Sequence, residues 1–176
     1  MLGDFVKRVE YDSLRCRQCC KFEKEDDPWV PILTEEEMAK INRKVADGRG
    51  CFKRYKNSST VFQVRPVKSS KNPKIYVCPF LDEPSHICNI YAIRPLDCRL
   101  WPFIFMKHKN GKGLFLGCWH KRFCPSLSRM SDEERTALKA RTVAWVEKRG
   151  LVQLVKKMPE MILDYDEDAT IVKELA

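Results

Sequence analysis

The sequence is organised around the segment CPFLDEPSHICNIYAIRPLDCRLWPF at residues 78–103. Its three cysteines are ten positions apart, at Cys78, Cys88 and Cys98. Near the start of the chain, the run CRQCC contains a second group, namely Cys16, Cys19 and Cys20. A closed zinc or four-iron site needs about four ligands, so neither group completes such a site alone. We therefore predict that both groups bind one metal centre, which ties the two segments together.

The composition is that of a globular chain with a highly charged surface. Its 176 residues suit one domain, and 44% of them are hydrophobic while 32% are charged. No segment approaches the roughly 18 apolar residues of a membrane-spanning helix, and the charges within residues 1–13 are unlike a signal peptide. We therefore expect a soluble, cytoplasmic protein with no membrane partner.

The cysteine content also points to a metal. Nine cysteines are many for a cytoplasmic protein, because reducing conditions keep thiols from pairing there. An odd number and the adjacent Cys19 and Cys20 fit poorly with a full set of disulfides. Metal ligation or redox chemistry is thus the favoured use. Two alternatives stay open, a secreted disulfide-bonded protein and cysteines that serve as small buried hydrophobic residues.

These residues resemble the signature of the YkgJ-type cysteine-cluster family, described as a zinc- or iron-chelating domain and related in signature to the flagellin lysine methylase. The matching motifs are Cys78-Pro79-Phe80-Leu81, Cys88-Asn89-Ile90-Tyr91, Arg94-Pro95-Leu96-Asp97-Cys98-Arg99 and Trp101-Pro102-Phe103. The family's first run, Cys-x-x-Cys-x-x-Cys-Cys, matches less well. Ser13 takes the place of its first cysteine, Arg17 replaces a frequent glycine, and Trp101 stands where phenylalanine is usual. The resemblance implies a cysteine cluster and no particular reaction.

The predicted ligands are six thiols, those of Cys16, Cys19, Cys20, Cys78, Cys88 and Cys98. If the family uses a thiol at the position of Ser13, another group must replace it here. The candidates are Cys118, Cys124, His120 and Cys51, of which Cys51 is expected to matter least. Side chains of adjacent residues diverge, so Cys19 and Cys20 need not reach the same ion.

We expect the metal to be an iron–sulfur cluster of the 4Fe–4S type. More than four thiols gather in the two segments, and the chain has only three histidines. The resemblance to the methylase points the same way. Zinc is the alternative, since four thiolates also suit a structural zinc ion.

Charged and aromatic residues surround the predicted ligands. Arg94 and Arg99 flank Cys98, where a cation would offset the thiolates and lower their pKa values. The alternative is that Arg94 pairs with a carboxylate such as Asp97 or Asp82 and only fixes the loop. Four aromatic side chains are expected to form an apolar wall that limits solvent access, and they are Phe80, Tyr91, Trp101 and Phe103.

Local patterns predict a few helices and hairpins. Thr34 with Glu37, and Ser131 with Glu134, are capping-box pairs that begin helices ending near Asp47 and Gly150. A short helix over 151–158 and a turn at Pro159 follow, and the acidic end is expected to fray. Hairpins are predicted from segments 61–65 with 74–78, and from 103–108 with 114–119 around Asn110-Gly111.

The predicted fold class is therefore α+β, a small irregular single domain with one or two short antiparallel hairpins around a cysteine-ligated metal centre. Residues 1–130 form the cysteine-cluster metal-binding region, and residues 131–176 form a C-terminal helical segment packed on the same domain.

Three functions remain open at this level. The first is an iron–sulfur protein with a redox, accessory or protein-modification role, although no nucleotide-binding loop indicates an enzyme. The second is a zinc-stabilised binding module for a protein partner or an anionic partner such as nucleic acid. Its contact would be the basic segment 40–74, which has 11 Lys or Arg residues against one acid. The third is a metal carrier.

Overall fold

The computed structural model describes residues 18–45, 50–56 and 58–176. Ser13, Cys16 and the predicted helix end at Asp47 lie outside the described residues. The chain divides into two compact units, Met1–Arg99 (unit 1) and Leu100–Ala176 (unit 2). Short helices and short, mostly antiparallel strands alternate in both, which confirms the α+β class. Among the described helices, none has the length and apolar character needed to cross a membrane.

The described residues of unit 1 form short strands, two helices and two 3-10 helices. Its described strands are β1 (Lys21–Phe22), β2 (Ile32–Thr34), β3 (Phe52–Arg54), β4 (Val61–Val64), β5 (Val67–Lys68), β6 (Tyr76–Val77), β7 (Leu81–Asp82) and β8 (Ile87–Cys88). Its described helices are α1 (Glu35–Lys44) and α2 (Leu96–Leu100, which crosses the unit boundary), with 3-10 helices at Gln18–Cys20 and Tyr91–Ile93. The strands pair in the orders β1-β6-β5, β2-β4-β3 and β7-β8.

Unit 2 is built on one four-stranded sheet in the order β11-β9-β10-β12. Its strands are β9 (Phe103–Lys107), β10 (Leu114–Trp119), β11 (Ile162–Leu163) and β12 (Ala169–Glu174). Its helices are α3 (Pro125–Arg129), α4 (Asp132–Lys148) and α5 (Leu151–Lys156), with 3-10 helices at Lys121–Phe123 and Pro159–Met161. The pair β11–β9 is parallel, whereas the sequence suggested only antiparallel pairing.

The local end signals predicted both main helices. Thr34 accepts a hydrogen bond from the Glu37 amide, and the Glu37 carboxylate accepts one from the Thr34 amide. Ser131 and Glu134 form the same reciprocal pair at the start of α4. These contacts satisfy amides that a helix leaves unpaired at its first turn, which is why so short a sequence signal is sufficient.

One of the two predicted hairpins is confirmed. Strands β9 and β10 pair antiparallel around the turn, where the Gly111 amide donates 2.8 Å to the His108 carbonyl oxygen. Gly111 has φ +75°, a backbone conformation that glycine adopts without steric cost.

The other predicted hairpin, 61–65 with 74–78, is wrong. Strand β4 pairs instead with β2 and β3, while β6 pairs with β1 and β5. Val61 and Val64 are almost completely buried, and the central position between two strands provides that burial. A prediction from turn residues pairs a strand with the next strand along the chain. It does not contain information on partners that are more distant in sequence, such as β2.

The prediction that the acidic C-terminal end frays is also wrong. Ala169–Glu174 forms strand β12, which pairs antiparallel with β10 and places Trp119 opposite Ala169. The backbone hydrogen bonds and the buried Ala169 hold this segment, while its charged side chains point to solvent. The last part of the chain is therefore a sheet edge, in addition to the predicted helices before it.

Carboxylates connect α2 to the junction of β2 and α1. Glu37 accepts a hydrogen bond of 2.7 Å from the Leu96 amide and one of 3.3 Å from the Arg99 guanidinium. The Ile32 amide donates 3.0 Å to the Asp97 carboxylate. Burial raises the pKa of Asp97 to about 6, which the Ile32 amide partly offsets. The helix that carries Cys98 is thus fixed by side chains far away in sequence.

Replacing Glu37 removes the capping-box acceptor together with both contacts to α2. We expect Glu37→Ala to lower the free energy of unfolding by about 2–4 kcal/mol, since a cap contributes about 1 kcal/mol and a hydrogen bond to a charged group about 1.5–3 kcal/mol. Urea unfolding followed by circular dichroism measures the loss. Glu36→Ala is the matched control, because Glu36 is exposed in the same turn. Equal losses in the two variants would contradict this assignment.

Candidate metal centre

The pairing of β1 with β6 brings the two cysteine groups together. Gln18–Cys20 forms a 3-10 helix that leads directly into β1. The two strands are antiparallel, with Lys21 opposite Val77. Cys20 precedes one strand and Cys78 follows the other, so they meet at the same end of the pair. The Cys78 amide donates a hydrogen bond of 2.9 Å to the Cys20 carbonyl oxygen.

Cys88 reaches the same region through the hairpin of β7 and β8. Leu81, three residues after Cys78, lies opposite Cys88 in this hairpin. The Asn89 amide extends the pairing with a hydrogen bond of 2.8 Å to the Phe80 carbonyl oxygen. The chain between the first two central cysteines therefore folds back on itself, and the regular spacing in the sequence becomes proximity in space.

Burial governs the ionisation of these thiols. It raises the pKa of Cys78 to about 12 and that of Cys98 well above its ordinary value, and it also raises the pKa of Cys88. Charge on Cys19 would raise all three pKa values further, so these four thiols lie close enough to interact. Neutral thiols are the stable form without a metal, and a bound cation would remove that preference.

A repeated local contact opposes the effect of burial. The backbone amide of Phe80 lowers the pKa of the Cys78 thiol, and that of Ile90 lowers the pKa of the Cys88 thiol. In each case the amide lies two residues after its cysteine. The motifs Cys-x-Phe-Leu and Cys-x-Ile-Tyr thus supply both a sulfur and a donor that stabilises the thiolate. This arrangement suits a metal ligand, which must be deprotonated.

Arg94 places a positive charge near the thiols of Cys88 and Cys98. Its guanidinium lies 3.8 Å from the centre of the Tyr91 ring and lowers the pKa values of both Cys88 and Cys98. Its Nε is buried and has no hydrogen-bond acceptor within the part of the chain that the structure describes. The alternative partners are used elsewhere, because Asp97 accepts from Ile32 and Asp82 accepts from Ser85. A buried donor beside several sulfurs fits a negatively charged ligand.

Arg99 has a different role although it also flanks Cys98. It forms an ion pair with Glu37 at 3.3 Å, and both side chains are mostly buried. Its Nε, like that of Arg94, is buried without a hydrogen-bond partner among the described residues. The ion pair of Arg99 and the effect of Arg94 on the thiol pKa values are therefore what distinguish the two arginines. The sequence proposed one role for both arginines. The structure instead assigns Arg99 to holding α2 and leaves Arg94 with the thiols.

The thiols are gathered but do not form a finished coordination site. Within residues 18–45, 50–56 and 58–176, no three His, Cys, Asp or Glu side chains have the arrangement of a metal site. None of the described cysteines forms a disulfide. Cys16 lies outside those residues, and the Cys20 side chain packs against the apolar core of unit 1. The set of six thiol ligands therefore stays a prediction.

The additional ligand candidates Cys118, Cys124 and His120 belong to unit 2. Cys118 and Cys124 are buried, and burial raises the pKa of Cys118 to about 11 while the nearby Lys139 lowers it. His120 Nδ1 accepts a hydrogen bond from the Arg122 amide and caps the 3-10 helix Lys121–Phe123. Cys118 and His120 also line a cavity of about 210 Å³ in unit 2. Their part in the ligand set stays a prediction.

The predicted aromatic wall is divided between the two units. Phe80 is buried in the core of unit 1, and Tyr91 lies under Arg94. Trp101 packs against the core of unit 2. Phe103 also belongs to unit 2, where it is the first residue of β9. In unit 1 the apolar surroundings of the thiols come instead from Val77, Phe80 and Ile90. The aliphatic residues Val77 and Ile90, which the predicted aromatic wall did not include, thus provide part of this environment.

Cys51 lies closer to the other thiols of unit 1 than its place in the sequence suggested. It packs against the same apolar core as Cys78, and its charge would raise the pKa of Cys78. It stands about 30 residues from either cysteine group and belongs to no motif. No local signal could therefore have connected it with the others.

Comparison with known proteins adds family information to this geometry. The family model CxxCxxCC, described as "Putative zinc- or iron-chelating domain", matches residues 12–125. The chain is 28% identical to "Uncharacterized protein MJ0661" of Methanocaldococcus jannaschii over 128 aligned residues. The aligned region covers 70% of this chain. It spans 61% of the length of that curated relative. No solved structure matches the chain.

The two arginines provide a matched test of this site. We expect Arg94→Gln to weaken metal binding roughly tenfold or more, as loss of groups that support metal ligands typically does. Arg99→Gln should mainly lower the free energy of unfolding, because it breaks the ion pair with Glu37. Chelator competition measures the first effect, and urea unfolding measures the second. Equal metal affinity in wild type and Arg94→Gln would be evidence against the role of Arg94.

Proposed function

Since the chain belongs to the cysteine-cluster family described as a zinc- or iron-chelating domain, we propose that it carries an iron–sulfur cluster of the 4Fe–4S type. The proposed ligands come from the thiols of unit 1. The predicted set is Cys16, Cys19, Cys20, Cys78, Cys88 and Cys98. The family description supports cysteine-based metal binding. The assignment of a 4Fe–4S cluster is our own, more specific proposal.

The observation that carries the proposal is the half-buried Arg94 guanidinium beside the thiols, whose Nε atom is buried. Arg94 lowers the pKa values of Cys88 and Cys98, and its buried Nε has no acceptor among the described residues. A cysteine-bound cluster is an anion with several sulfur acceptors. It would offer Arg94 both a compensating charge and a hydrogen-bond acceptor.

The kind and number of donors are compatible with a cluster. The interacting groups Cys19, Cys78, Cys88 and Cys98 are all thiols, which suit iron–sulfur clusters and zinc alike. Cys20 and Cys51 pack against the same core, so more sulfur is available than one tetrahedral zinc ion requires. A 4Fe–4S cluster also takes four thiolates, so the number of sulfurs suits both metals and the choice of the cluster rests on Arg94.

Such a cluster would supply one-electron transfer. The residues of this chain would set its environment, because burial among Val77, Phe80 and Ile90 limits contact with water. Arg94 would favour the more negative reduced state. We therefore propose a redox or accessory role, and a part in protein modification is the variant that the family resemblance suggests.

A zinc-stabilised module that binds an anionic partner is the second candidate, and the exposed basic residues of segment 40–74 support it. Arg65, Lys68 and Lys74 are exposed on unit 1. Some of this charge is used within the chain, because Lys71 donates to the Glu83 carbonyl oxygen and Lys68 lies over the Tyr76 ring. We therefore rank this function below the cluster. A metal carrier is the third candidate.

Anaerobic purification distinguishes the two metals. We expect a brown protein with broad visible absorption that bleaches on reduction, together with about four iron and four sulfide per chain, as a cubane cluster requires. Metal and sulfide analysis of the same sample provides the numbers. A colourless protein with stoichiometric zinc would refute the cluster and support the zinc module.

Serine substitutions test the ligands. Cys88→Ser and Cys98→Ser should each lower the metal content per chain, because each removes a thiolate donor. Elemental analysis after anaerobic purification measures the loss. Cys118→Ser, at a buried candidate ligand of unit 2, is measured in the same way, and full metal content in this variant would remove Cys118 from the candidate ligands. Full metal content in both Cys88→Ser and Cys98→Ser would rule out the proposed site.

A further inference from the structure

Unit 2 contains a cavity of about 210 Å³ that is lined by its sheet and by helix α4. The lining residues come from β9, β10 and β12 and from α3, α4 and the 3-10 helix Lys121–Phe123. A cavity of about 150 Å³ with apolar walls holds one benzene molecule. The cavity of unit 2 therefore has room for one small ring that carries a polar group.

The deeply buried part of the lining is apolar. Phe103 and Trp119 come from the paired strands β9 and β10, and Leu127 and Leu138 come from α3 and α4. At most 4% of the surface of each residue is exposed. The Trp119 ring makes an edge-on contact with the Phe123 ring, with 5.9 Å between the centroids. Such a surface favours a ligand with an apolar body, because binding removes that body from water.

Helix α4 also contributes charged residues to the lining. Asp132, Arg135 and Lys139 are three and four positions apart, so they share one face of the helix. Arg135 is used within the chain, because it forms an ion pair with Asp132 and donates 3.1 Å to the Leu127 carbonyl oxygen. Asp132 is the only carboxylate among the described residues that line the cavity, and Arg135 already engages it.

Two lysines give the cavity a net positive charge. Lys139 is half-buried on α4, and Lys121 is the first residue of the 3-10 helix. Neither ammonium group forms an ion pair or a hydrogen bond with another residue in the part of the chain that the structure describes. An ammonium group that is partly removed from water is stabilised by an anionic partner. The cavity thus combines an apolar surface with positive charge that the chain leaves unmatched.

We propose that this cavity binds a small organic acid, namely a carboxylate on an apolar body about the size of one ring. The body would lie against Trp119 and Leu138, and the carboxylate would pair with Lys139, with Lys121 adding positive charge nearby. Both the apolar surface and the lysines belong to unit 2. The inference therefore goes beyond the proposed metal-binding function and does not depend on it.

Three probes test the chemistry of the site, and each changes one property. Benzoate has both a ring and a carboxylate, benzamide has the same shape without the charge, and acetate has the charge without the ring. The full chain is titrated with each probe, and ligand-observed NMR measures the dissociation constants. We expect benzoate to bind at least about tenfold more tightly than either of the others, because charge-assisted hydrogen bonds and ring burial both contribute.

Each control can overturn the inference. Benzamide binding as tightly as benzoate would show that the positive charge is not used. Acetate binding as tightly as benzoate would show that the apolar surface is not used. Absence of benzoate binding up to about 10 mM would show that the cavity is not a site for this class of ligand.

Substitutions at Lys139 locate the contact. Lys139→Met removes the ammonium group and keeps an apolar side chain of similar length. We expect its affinity for benzoate to fall to that of wild type for benzamide, while its affinity for benzamide stays unchanged. Lys139→Arg should retain benzoate binding within about threefold, because it keeps the charge. Lys148→Met is the matched control, since Lys148 is an exposed lysine of α4 outside the cavity.

The pattern across the probes separates a lost charge from a damaged cavity. If Lys139→Met loses benzamide and benzoate equally, Lys139 supports the packing of unit 2 and the inference fails. It also fails if Lys139→Met binds benzoate like the wild type, or if Lys148→Met loses as much affinity for benzoate as Lys139→Met does.

Discussion

A metal binds the thiolate form of cysteine, whereas burial favours the neutral thiol, and unit 1 is organised around this conflict. Its apolar core raises the pKa values of Cys78, Cys88 and Cys98. The backbone amides of Phe80 and Ile90 and the guanidinium of Arg94 act in the opposite direction. These groups offset only part of the effect of burial, so the pKa values stay raised and the thiols remain neutral until a cation enters the site. In the proposed function, proton release would accompany metal binding.

Support for the cysteines comes from distant parts of unit 1. Cys98 lies on α2, whose position depends on Glu37 and on the contact of Asp97 with Ile32. Cys78 depends on the pairing of β1 with β6. A metal in this region would connect segments from all these elements. Structural zinc contributes about 10–16 kcal/mol in small peptides, which is comparable to the net stability of a whole domain at about 5–15 kcal/mol. Metal binding and folding of unit 1 would then be strongly coupled.

Local sequence predicted the features whose partners are local. The capping boxes at Thr34 and Ser131 and the hairpin around Asn110-Gly111 need only residues within a few positions, and all three are present. The hairpin of 61–65 with 74–78 was wrong because β4 finds better burial between β2 and β3. The acidic end was wrong for a related reason, since pairing with β10 outweighs its charge. Strand partners are chosen by long-range packing, which short patterns do not contain.

The sequence by itself determined which chemistry is possible, because the spacing of Cys78, Cys88 and Cys98 and the motifs around them identify the family. Tertiary structure alone decided which neighbours these cysteines have. It separated Arg94 from Arg99, which look equivalent beside Cys98, by pairing only Arg99 with Glu37. It also brought Cys51 to the core that contains Cys78. The physical reason is that charge compensation and burial depend on distance in space, and sheet pairing and ring contacts set that distance independently of separation along the chain.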